Sequence, residues 1–232
     1  MPDQLSIVVP VYNERATIAA VLERLLTIDL PIPREIIVVD DGSRDGTRDV
    51  LNDLAVRYPP LAVIHSDENR GKGHAVRLGF ERARGTIVAI QDADLELDPA
   101  QLATLVAPIL ARTTDVVYGS RFLSGQRDGS PINRAANRFL TGLTNILYGS
   151  SLTDMETCYK LMRAEVVQSL ALSANRFDLE PEITAKLLLK HHAIVELPVT
   201  FSPRSRAAGK KIHWRDGFTA IWVLVRCRLQ GI

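Results

Sequence analysis

Cysteine and long apolar runs are both scarce in this sequence. Its two cysteines, Cys158 and Cys227, lie too far apart to form a metal-binding cluster. We expect them to be free thiols in a reducing compartment, where disulfides are rare. The best candidate for a membrane span, residues 218–225, is far shorter than the roughly 18–20 apolar residues that a bilayer requires. The chain starts with Met-Pro-Asp-Gln and enters an apolar run at once, which predicts that it carries no signal peptide.

A large net charge is also absent. The formal net charge is +1, so no overall basic field attracts nucleic acid, and we expect no nucleic-acid partner. The charge is unevenly placed, because the residues after Phe201 include a single acid, Asp216, among many bases. Such a skew is typical of a segment that meets anions. The bases are Arg204, Arg206, Lys210, Lys211, Arg215, Arg226 and Arg228.

What the sequence does contain is a regular alternation of apolar strands and amphipathic helices. Its 232 residues and 46% hydrophobic content fit one α/β domain with an ample core. The alternation predicts a parallel sheet with right-handed crossovers. Ser43 or Asp45 is a suitable cap for the second helix. The predicted strands are Leu5–Val11, 36–39, Leu61–His65 and Ile87–Ile90, and the predicted helices are 17–26, 47–56 and 74–84.

Polar residues follow the end of each predicted strand. In a parallel sheet, ligands bind beyond the carboxyl ends of the strands. Four polar clusters at that edge therefore predict one binding site. The clusters are Tyr12-Asn13-Glu14, Asp40-Asp41, the turn at residues 69–73, and the pair Asp92 and Asp94.

The acidic pair Asp92 and Asp94 ends the buried run Ile87–Ile90. Residues two apart on a strand project to the same side, so the two carboxylates can converge on one ligand. Such oxygens suit a hard cation, Mg²⁺ or Mn²⁺, that carries phosphate oxygens. The alternative is an ordinary acidic turn that ends before Pro99.

The glycine-rich turn Gly71-Lys72-Gly73 fits neither common nucleotide-binding loop. It lacks the third glycine of the dinucleotide fingerprint, and it has neither the earlier glycine nor the hydroxyl residue of a Walker loop. Two interpretations stay open. Either the glycines set a tight turn, or Arg70 and Lys72 lie near phosphate.

Three motifs together resemble a known family. They are Val8-Val9-Pro10-Val11-Tyr12-Asn13-Glu14, Val38-Val39-Asp40-Asp41-Gly42-Ser43 and Asp92-Ala93-Asp94. In this order and spacing the sequence resembles a family 2 glycosyltransferase of the GT-A fold, over essentially its whole length. Within that family it is similar to the synthases that transfer one sugar from a nucleotide donor to a polyprenyl (dolichyl-type) phosphate. The features that carry this second likeness are Gly119-Ser120-Arg121-Phe122, the segment 154–160, and residues 196–201 leading into Arg204.

The resemblance implies a fold and a domain division. The expected fold is α/β, a Rossmann-like GT-A domain in which helices flank a mostly parallel twisted sheet, with a C-terminal helical extension. The catalytic domain would occupy residues 1–212 and a basic helix residues 213–232. Within the first, residues 131–149 read as an amphipathic helix that lies at a membrane interface, with packing on the domain core as the alternative.

The resemblance also implies roles for residues at the donor site. The loop with Pro10, Tyr12 and Glu14 would frame the nucleotide, and Asp41 would accept a hydrogen bond from the base. Further nucleotide contacts fall on Lys72 and Asp92. The metal ligands implied are Asp92, Asp94 and Glu96, with Mg²⁺ or Mn²⁺ as the cofactor. Glu96 departs from many relatives of the dolichyl-phosphate mannose type, which have Gln at this place.

The remaining implied roles concern the acceptor. Arg121 and Arg204 resemble the arginines that meet donor and acceptor phosphates, for which bidentate geometry is suited. Lys210 and Lys211 belong either to a loop that closes over the site or to a solvated charge run. Asp154 is the general base if the acceptor is an alcohol. With a phosphate acceptor, whose second pKa is about 6, no base is needed and Asp154 orients. A buried partner for Lys160 or Arg163 is the third reading of Asp154.

The sequence thus predicts inverting, metal-dependent transfer of one hexose from a GDP-mannose or UDP-glucose type donor to polyprenyl phosphate, in cell-envelope glycan synthesis. We expect a cytoplasmic protein with peripheral contact at the cytoplasmic membrane face. One alternative is transfer to a soluble or glycan hydroxyl, with Asp154 as base. Another is a non-catalytic nucleotide-sugar-binding protein. The last helix could also bury against a second copy, which leaves a homo-oligomer open.

Overall fold

A seven-stranded sheet organises the chain. The computed structural model describes residues 2–125, 130–203 and 214–231, the side chains of residues 214 and 215 excepted. The strands are β1 (Leu5–Val11), β2 (Arg34–Asp40), β3 (Leu61–His65), β4 (Ile87–Ile90), β5 (Val116–Ser120), β6 (Lys160–Arg163) and β7 (Ile194–Pro198). The helices are α1 (Ile18–Thr27), α2 (Thr47–Arg57), α3 (Lys72–Arg82), α4 (Leu102–Leu110), α5 (Pro131–Tyr148), α6 (Ala164–Ser169), α7 (Leu179–Leu189) and α8 (Trp214–Gln230), with a 3₁₀ turn at Pro99–Gln101.

The strand order is β3-β2-β1-β4-β6-β5-β7. All neighbouring pairs are parallel except those of β6, which runs antiparallel between β4 and β5. The predicted mostly parallel sheet is therefore confirmed. Pro10 lies in the central strand β1, opposite Val39, and is tolerated there because it is the penultimate residue of the strand.

The acidic pair lies beyond its strand rather than on it. β4 ends at Ile90, and Asp92 and Asp94 belong to the turn that follows. Strand alternation therefore does not orient the two carboxylates, and that part of our reasoning was wrong. The turn itself has to place them.

The predicted cap of the second helix was half correct. Gly46, with φ 91°, occupies the N-cap position of α2. Asp45 accepts a hydrogen bond from the Thr47 amide at 3.0 Å, inside the first turn. Ser43 does not cap the helix, because its hydroxyl accepts from the Asn13 amide at 2.9 Å and so joins two loops.

Three hydrophobic clusters hold the helices of the described residues in place, the smallest being Ile37, Val39 and Ala75 between β2 and α3. The main core covers the sheet and its flanking helices, and a second cluster joins α5, α7 and α8. In that second cluster, Leu140, Ala185 and Leu224 are buried, and the Tyr148 hydroxyl donates to the Leu224 carbonyl at 2.6 Å. One face of α8 therefore packs on α5 and α7. Among the described helices, none combines the length and the apolar character needed to cross a bilayer.

Candidate active site

The loops after β1 and β2 are fastened to each other at the carboxyl edge of the sheet. Asn13, which has φ 50°, accepts from the Arg44 amide at 2.8 Å, and its own amide donates to Ser43. The amide of Glu14 donates to the Thr47 hydroxyl at 2.9 Å. Asn tolerates the left-handed backbone that this turn needs. The fastening places Tyr12 beside the end of β2.

Glu14 also connects the first loop to the acidic turn. It is 9% exposed, and its Oε2 lies 2.9 Å from the Thr17 hydroxyl. The same hydroxyl lies 2.8 Å from the carbonyl of Ala93, between Asp92 and Asp94. Glu14 was predicted to frame the nucleotide, which remains a prediction. The contacts give it a second role, because they fix the position of the acidic turn.

The two neighbouring aspartates after β2 have different surroundings. Asp40 is fully buried and binds the Ser43 amide at 2.9 Å and His65 Nδ1 at 3.0 Å. Burial alone would raise its pKa, but hydrogen bonds from Ser43, His65 and Arg48 outweigh burial and lower the pKa. Asp40 therefore stabilises the turn as a carboxylate.

Asp41 bridges two loops. Its carboxylate accepts from the backbone amides of Arg70, at 3.0 Å, and Gly71, at 2.7 Å. Burial raises its pKa, and these two hydrogen bonds only partly offset that rise. Since the amides come from the glycine-rich turn, Asp41 holds that turn at the end of β2. Its predicted contact with the base is a separate role that remains a prediction.

The glycine-rich turn owes its glycines to close packing. Gly71 has φ 103°, and a Cβ there would collide with the Asn175 carbonyl oxygen. A Cβ on Gly73 would lie 2.6 Å from the Ala174 carbonyl oxygen. The same backbone accepts from the first turn of α3, with His74 N to Asn175 O at 2.9 Å. The tight-turn interpretation therefore accounts for both glycines.

Lys72, between those glycines, sits at the centre of a charge cluster. Its Nζ lies 2.8 Å from Asp92 Oδ1 and 2.8 Å from Glu180 Oε1. Burial alone would lower the pKa of Lys72, but the negative charges of Asp92 and Glu180 outweigh burial and hold the pKa well above its usual value. Lys72 is therefore a fixed cation beside a predicted metal ligand. The sequence reading missed Glu180, which looked like an ordinary acid in the first turn of a helix.

Both aspartates of the acidic turn are partly exposed to solvent. Asp94 Oδ1 accepts from the Glu96 amide at 3.1 Å, and the Asp92 side chain is 28% exposed. Within the described residues, no three or more His, Cys, Asp or Glu side chains are grouped to hold a metal. Two carboxylates nevertheless fit Mg²⁺ or Mn²⁺, since such ions keep several waters and bind phosphate oxygens as further ligands. Ligand roles for Asp92, Asp94 and Glu96 remain predictions.

Asp154 is paired with Arg121, which the sequence reading did not foresee. Arg121 Nε lies 2.8 Å from Asp154 Oδ2, and the terminal nitrogen lies 2.8 Å from Oδ1. The Arg121 amide also donates to Oδ2 at 3.0 Å. The reading of Asp154 as partner of Lys160 or Arg163 was wrong. Lys160 donates to backbone carbonyls, and Arg163 pairs with Asp3 at 2.7 Å.

Arg121 also meets the chain that leads to Arg204. Its guanidinium lies 5.3 Å from the centroid of the Phe201 ring, and the amide of Ser202 donates to the Glu96 carbonyl at 2.8 Å. The segment after β7 therefore contacts both Arg121 and the acidic turn. Arg204 itself lies outside the described residues, as do Lys210 and Lys211.

Two further ionisable residues lie in the segment 154–160: Glu156, which is half-buried, and Lys160, which is fully buried. Burial, and then the charge of Glu180, raise the pKa of Glu156 to about 7. Burial lowers the pKa of Lys160 to about 8. The segment contributes to the family likeness, but the sequence alone predicted no role for either residue. The signal available in the sequence was that Glu156 and Lys160 lie among apolar residues, which indicates buried ionisable groups.

Comparisons with known proteins show the family of the chain. Residues 6–171 match the profile described as glycosyl transferase family 2. The dolichol-phosphate mannosyltransferase of Pyrococcus furiosus is 29% identical over 211 residues, which cover 89% of this chain and 59% of that protein. The undecaprenyl-phosphate mannosyltransferase of Micrococcus luteus is 31% identical over 244 aligned residues, which cover 96% of this chain and 97% of that protein. The chain thus spans about three fifths of the length of the first relative.

Solved structures share the fold. Mannosyl-3-phosphoglycerate synthase from Rubrobacter xylanophilus superposes with a TM-score of 0.75 at 20% identity, over 99% of this chain and 75% of that one. Glucosyl-3-phosphoglycerate synthase from Mycobacterium tuberculosis, solved with Mn²⁺, UDP-glucose and phosphoglyceric acid, gives 0.73 at 20% identity, over 97% and 80%. These likenesses confirm the predicted GT-A fold, and the named transferases among the relatives remove the non-catalytic alternative. Since the profile covers more than half of the sequence, the chain belongs to glycosyl transferase family 2.

Proposed function

We propose that this glycosyltransferase moves a single hexose from a GDP-mannose or UDP-glucose type donor to polyprenyl phosphate, with inversion and with a divalent cation. The observation that carries the proposal is the bidentate pair of Arg121 with Asp154. Both oxygens of the predicted base are occupied by a guanidinium. Asp154 is therefore poorly placed to remove a proton from an alcohol, which favours a phosphate acceptor that needs no base.

Transfer of a sugar to a phosphate requires positive charge near the two phosphate groups and does not require a general base. An oxygen of the acceptor phosphate forms a bond to the anomeric carbon while the bond from that carbon to the donor diphosphate breaks on the opposite face. No proton has to leave, because a phosphate monoester is largely ionised near neutrality. Arg121 would hold the acceptor phosphate. Lys72 stays charged and would stabilise the departing diphosphate.

The cation would be held by Asp92 and Asp94. When bound, it supplies positive charge against the leaving diphosphate. The solved glucosyl-3-phosphoglycerate synthase with Mn²⁺ and UDP-glucose supports a divalent ion in this fold. Glu14 and Thr17 position the acidic turn through the Ala93 carbonyl, so they would act on the metal site indirectly.

An exposed apolar face supports a lipid acceptor. On α5, Ile132, Phe139 and Ile146 recur every seventh residue and are 79%, 62% and 83% exposed. Phe218, Trp222 and Leu229 on α8 are exposed as well, and α8 packs beside α5. We name these six side chains the apolar face. Together with the bases of α5 they suit the surface of an anionic membrane.

A residue next to the apolar face contacts the residue that follows Arg121. The guanidinium of Arg138 on α5 lies 5.8 Å from the Phe122 ring centroid, and Phe122 follows Arg121 directly in the sequence. A polyprenyl phosphate whose tail stays in the bilayer would reach Arg121 past this contact. We therefore propose peripheral contact with a lipid surface at the cytoplasmic face.

The test is a transfer assay with two acceptors. Vesicles containing undecaprenyl phosphate are incubated with labelled GDP-mannose or UDP-glucose and Mn²⁺, and labelled lipid is extracted. We expect labelled lipid phosphate with the wild type and none with Asp92→Asn. Label on a water-soluble alcohol acceptor without polyprenyl phosphate, lost in Asp154→Asn, would contradict the proposal and favour the hydroxyl alternative.

A further inference from the structure

Glu156 carries a buried oxygen that the protein does not use. Its Oε1 is buried and has no hydrogen-bond partner among the described residues, although the residue as a whole is only half-buried. Native proteins satisfy the great majority of buried polar atoms, so an exception calls for an explanation. An unsatisfied acceptor costs free energy that a ligand with a donor group can recover.

The backbone on both sides of Glu156 is fixed. Lys160 Nζ donates to the Met155 carbonyl at 2.8 Å and to the Thr157 carbonyl at 2.5 Å. The same ammonium lies 4.4 Å from the centroid of the Tyr118 ring. Lys160 is fully buried, so this clamp is well shielded from water. The backbone that carries the orphaned oxygen is therefore held in place and is not part of a loose loop, as a preorganised binding group requires.

The charges around Glu156 locate it between the two sides of the site. Glu180, which binds Lys72 on the donor side, is one charge that acts on it, and Arg121 with Asp154 on the acceptor side supply others. During transfer the sugar has to lie between the donor diphosphate and the acceptor phosphate. A residue close to both Glu180 and Arg121 therefore lies nearer to the place of the sugar than to that of the nucleotide.

Burial also favours the uncharged form of Glu156, since the pKa is raised to about 7. A carboxyl group that is partly protonated near neutral pH binds an uncharged hydroxyl group well, whereas its ionised form would repel a phosphate. We propose that Oε1 of Glu156 binds a hydroxyl group of the sugar during transfer, and so helps to select the donor. This inference rests on the proposed function and names a residue for sugar recognition within it.

The test compares nucleotide sugars with the same nucleotides without sugar. Dissociation constants for GDP-mannose, GDP, UDP-glucose and UDP are measured with Mn²⁺ by calorimetry for the wild type, Glu156→Ala, Glu156→Gln and the control Glu165→Ala, an exposed glutamate on α6. For the nucleotide sugar that the wild type binds, we expect Glu156→Ala to weaken binding about 10-fold, as loss of one buried hydrogen bond predicts. Binding of the free nucleotide should change by less than about twofold.

The conservative variant separates recognition from proton transfer. Glu156→Gln keeps an acceptor oxygen, so we expect it to bind the nucleotide sugar within about threefold of the wild type and to keep turnover. Deoxygenated donors identify the hydroxyl group: one deoxy-sugar nucleotide should bind the wild type about 10-fold more weakly and show no further loss with Glu156→Ala. The wild-type measurement stands if Glu156→Ala does not fold, and Glu156→Asp then replaces it, with the same selective loss expected.

The remaining outcomes would contradict the role of Glu156, the proposed function, or both. Equal losses for nucleotide and nucleotide sugar, or no loss for either, would overturn the role of Glu156 in sugar recognition. Abolished turnover in Glu156→Gln with unchanged donor binding would make Glu156 a base and overturn it too. If the wild type binds a nucleotide sugar but does not act on polyprenyl phosphate, the proposed function fails while the selective loss in Glu156→Ala would still support the inference. If the wild type binds no nucleotide, both fail.

Discussion

The two halves of the sheet edge hold their carboxylates in different ways. Beyond β2, Asp41 is held by backbone amides of Arg70 and Gly71. Beyond β5, Asp154 accepts from a single backbone amide, that of Arg121, and is otherwise held by the Arg121 guanidinium. Backbone amides are fixed by the turns that carry them, whereas a guanidinium is a removable charge. The first half is thus a rigid frame, and the second half depends on the balance of its charges.

Asp92 and Asp94 stand at the border of the two halves, and their substitution should have the largest effect. Asn is a much weaker ligand than carboxylate for a hard cation, so we expect Asp92→Asn and Asp94→Asn each to lower the transfer rate by more than about 100-fold. The rate is measured with undecaprenyl phosphate vesicles and Mn²⁺, and circular dichroism checks the fold. Asp98→Asn, an exposed residue of the same turn, should stay within about twofold of the wild type. Full activity in Asp94→Asn would remove the metal site from this turn.

The second-largest effect is expected from Arg121. It tests whether the ion pair with Asp154 stabilises the half of the sheet edge beyond β5. Arg121→Met leaves the buried Asp154 carboxylate without its cation, which should cost about 3–5 kcal/mol and lower Tm by about 10 °C. Adding Asp154→Leu removes the stranded charge, so the double variant should recover most of the lost stability and still not transfer sugar. Thermal unfolding of the three proteins measures this. A double variant as unstable as Arg121→Met would show that the pair does not set the stability.

The same contrast explains what the sequence could predict. The motifs after β1, β2 and β4 are local: each follows its strand directly, so the parallel topology brings them to one edge. The family, the fold and the neighbourhood of Tyr12, Asp41 and Asp92 were accessible for that reason. Even there the geometry of the acidic turn was misjudged, because where β4 ends decides which way the carboxylates face.

The arrangement of the second half of the sheet edge depends on strands that are far apart in the sequence. β6 enters the sheet antiparallel between β4 and β5, and this brings Asp154 to Arg121, far away in the sequence. Spacing alone favoured Lys160 and Arg163 as partners of Asp154, because both lie nearby in the chain. Glu180 was missed for a similar reason, since its partner Lys72 lies in a loop that only the folded sheet brings close.

The apolar face should give a smaller effect that leaves the fold unchanged. Phe139 is exposed, so Phe139→Ser should change stability by less than about 0.5 kcal/mol. If Phe139 enters a bilayer, the loss of its burial should weaken binding to anionic vesicles about 10-fold. Vesicle sedimentation measures this, with Val56→Ser on α2 as the control, since Val56 is also an exposed apolar residue but lies outside that face. Equal sedimentation of all three proteins would contradict a membrane contact through α5.

The smallest expected effect is the pH dependence of stability that Glu156 introduces. Its pKa rises from 4.5 to about 7 on folding, so the folded chain binds a proton that the unfolded chain releases between those values. The contribution of Glu156 to stability is therefore fully present below pH 4.5 and is lost as the pH rises through about 7. Glu156→Gln removes this loss. We expect its Tm to match that of the wild type at the acid end and to exceed it by about 2–4 °C at pH 7.5.

Asp41→Asn is the matched control from the first half of the edge. Burial raises the pKa of Asp41 as well, but its carboxylate accepts from two backbone amides, and an Asn side chain offers one oxygen for both. The lost acceptor should destabilise Asp41→Asn by about 1–3 kcal/mol at neutral pH, in the opposite direction to Glu156→Gln. If both variants shift Tm in the same direction, the distinction between a frame held by amides and a region held by charges does not apply to this site.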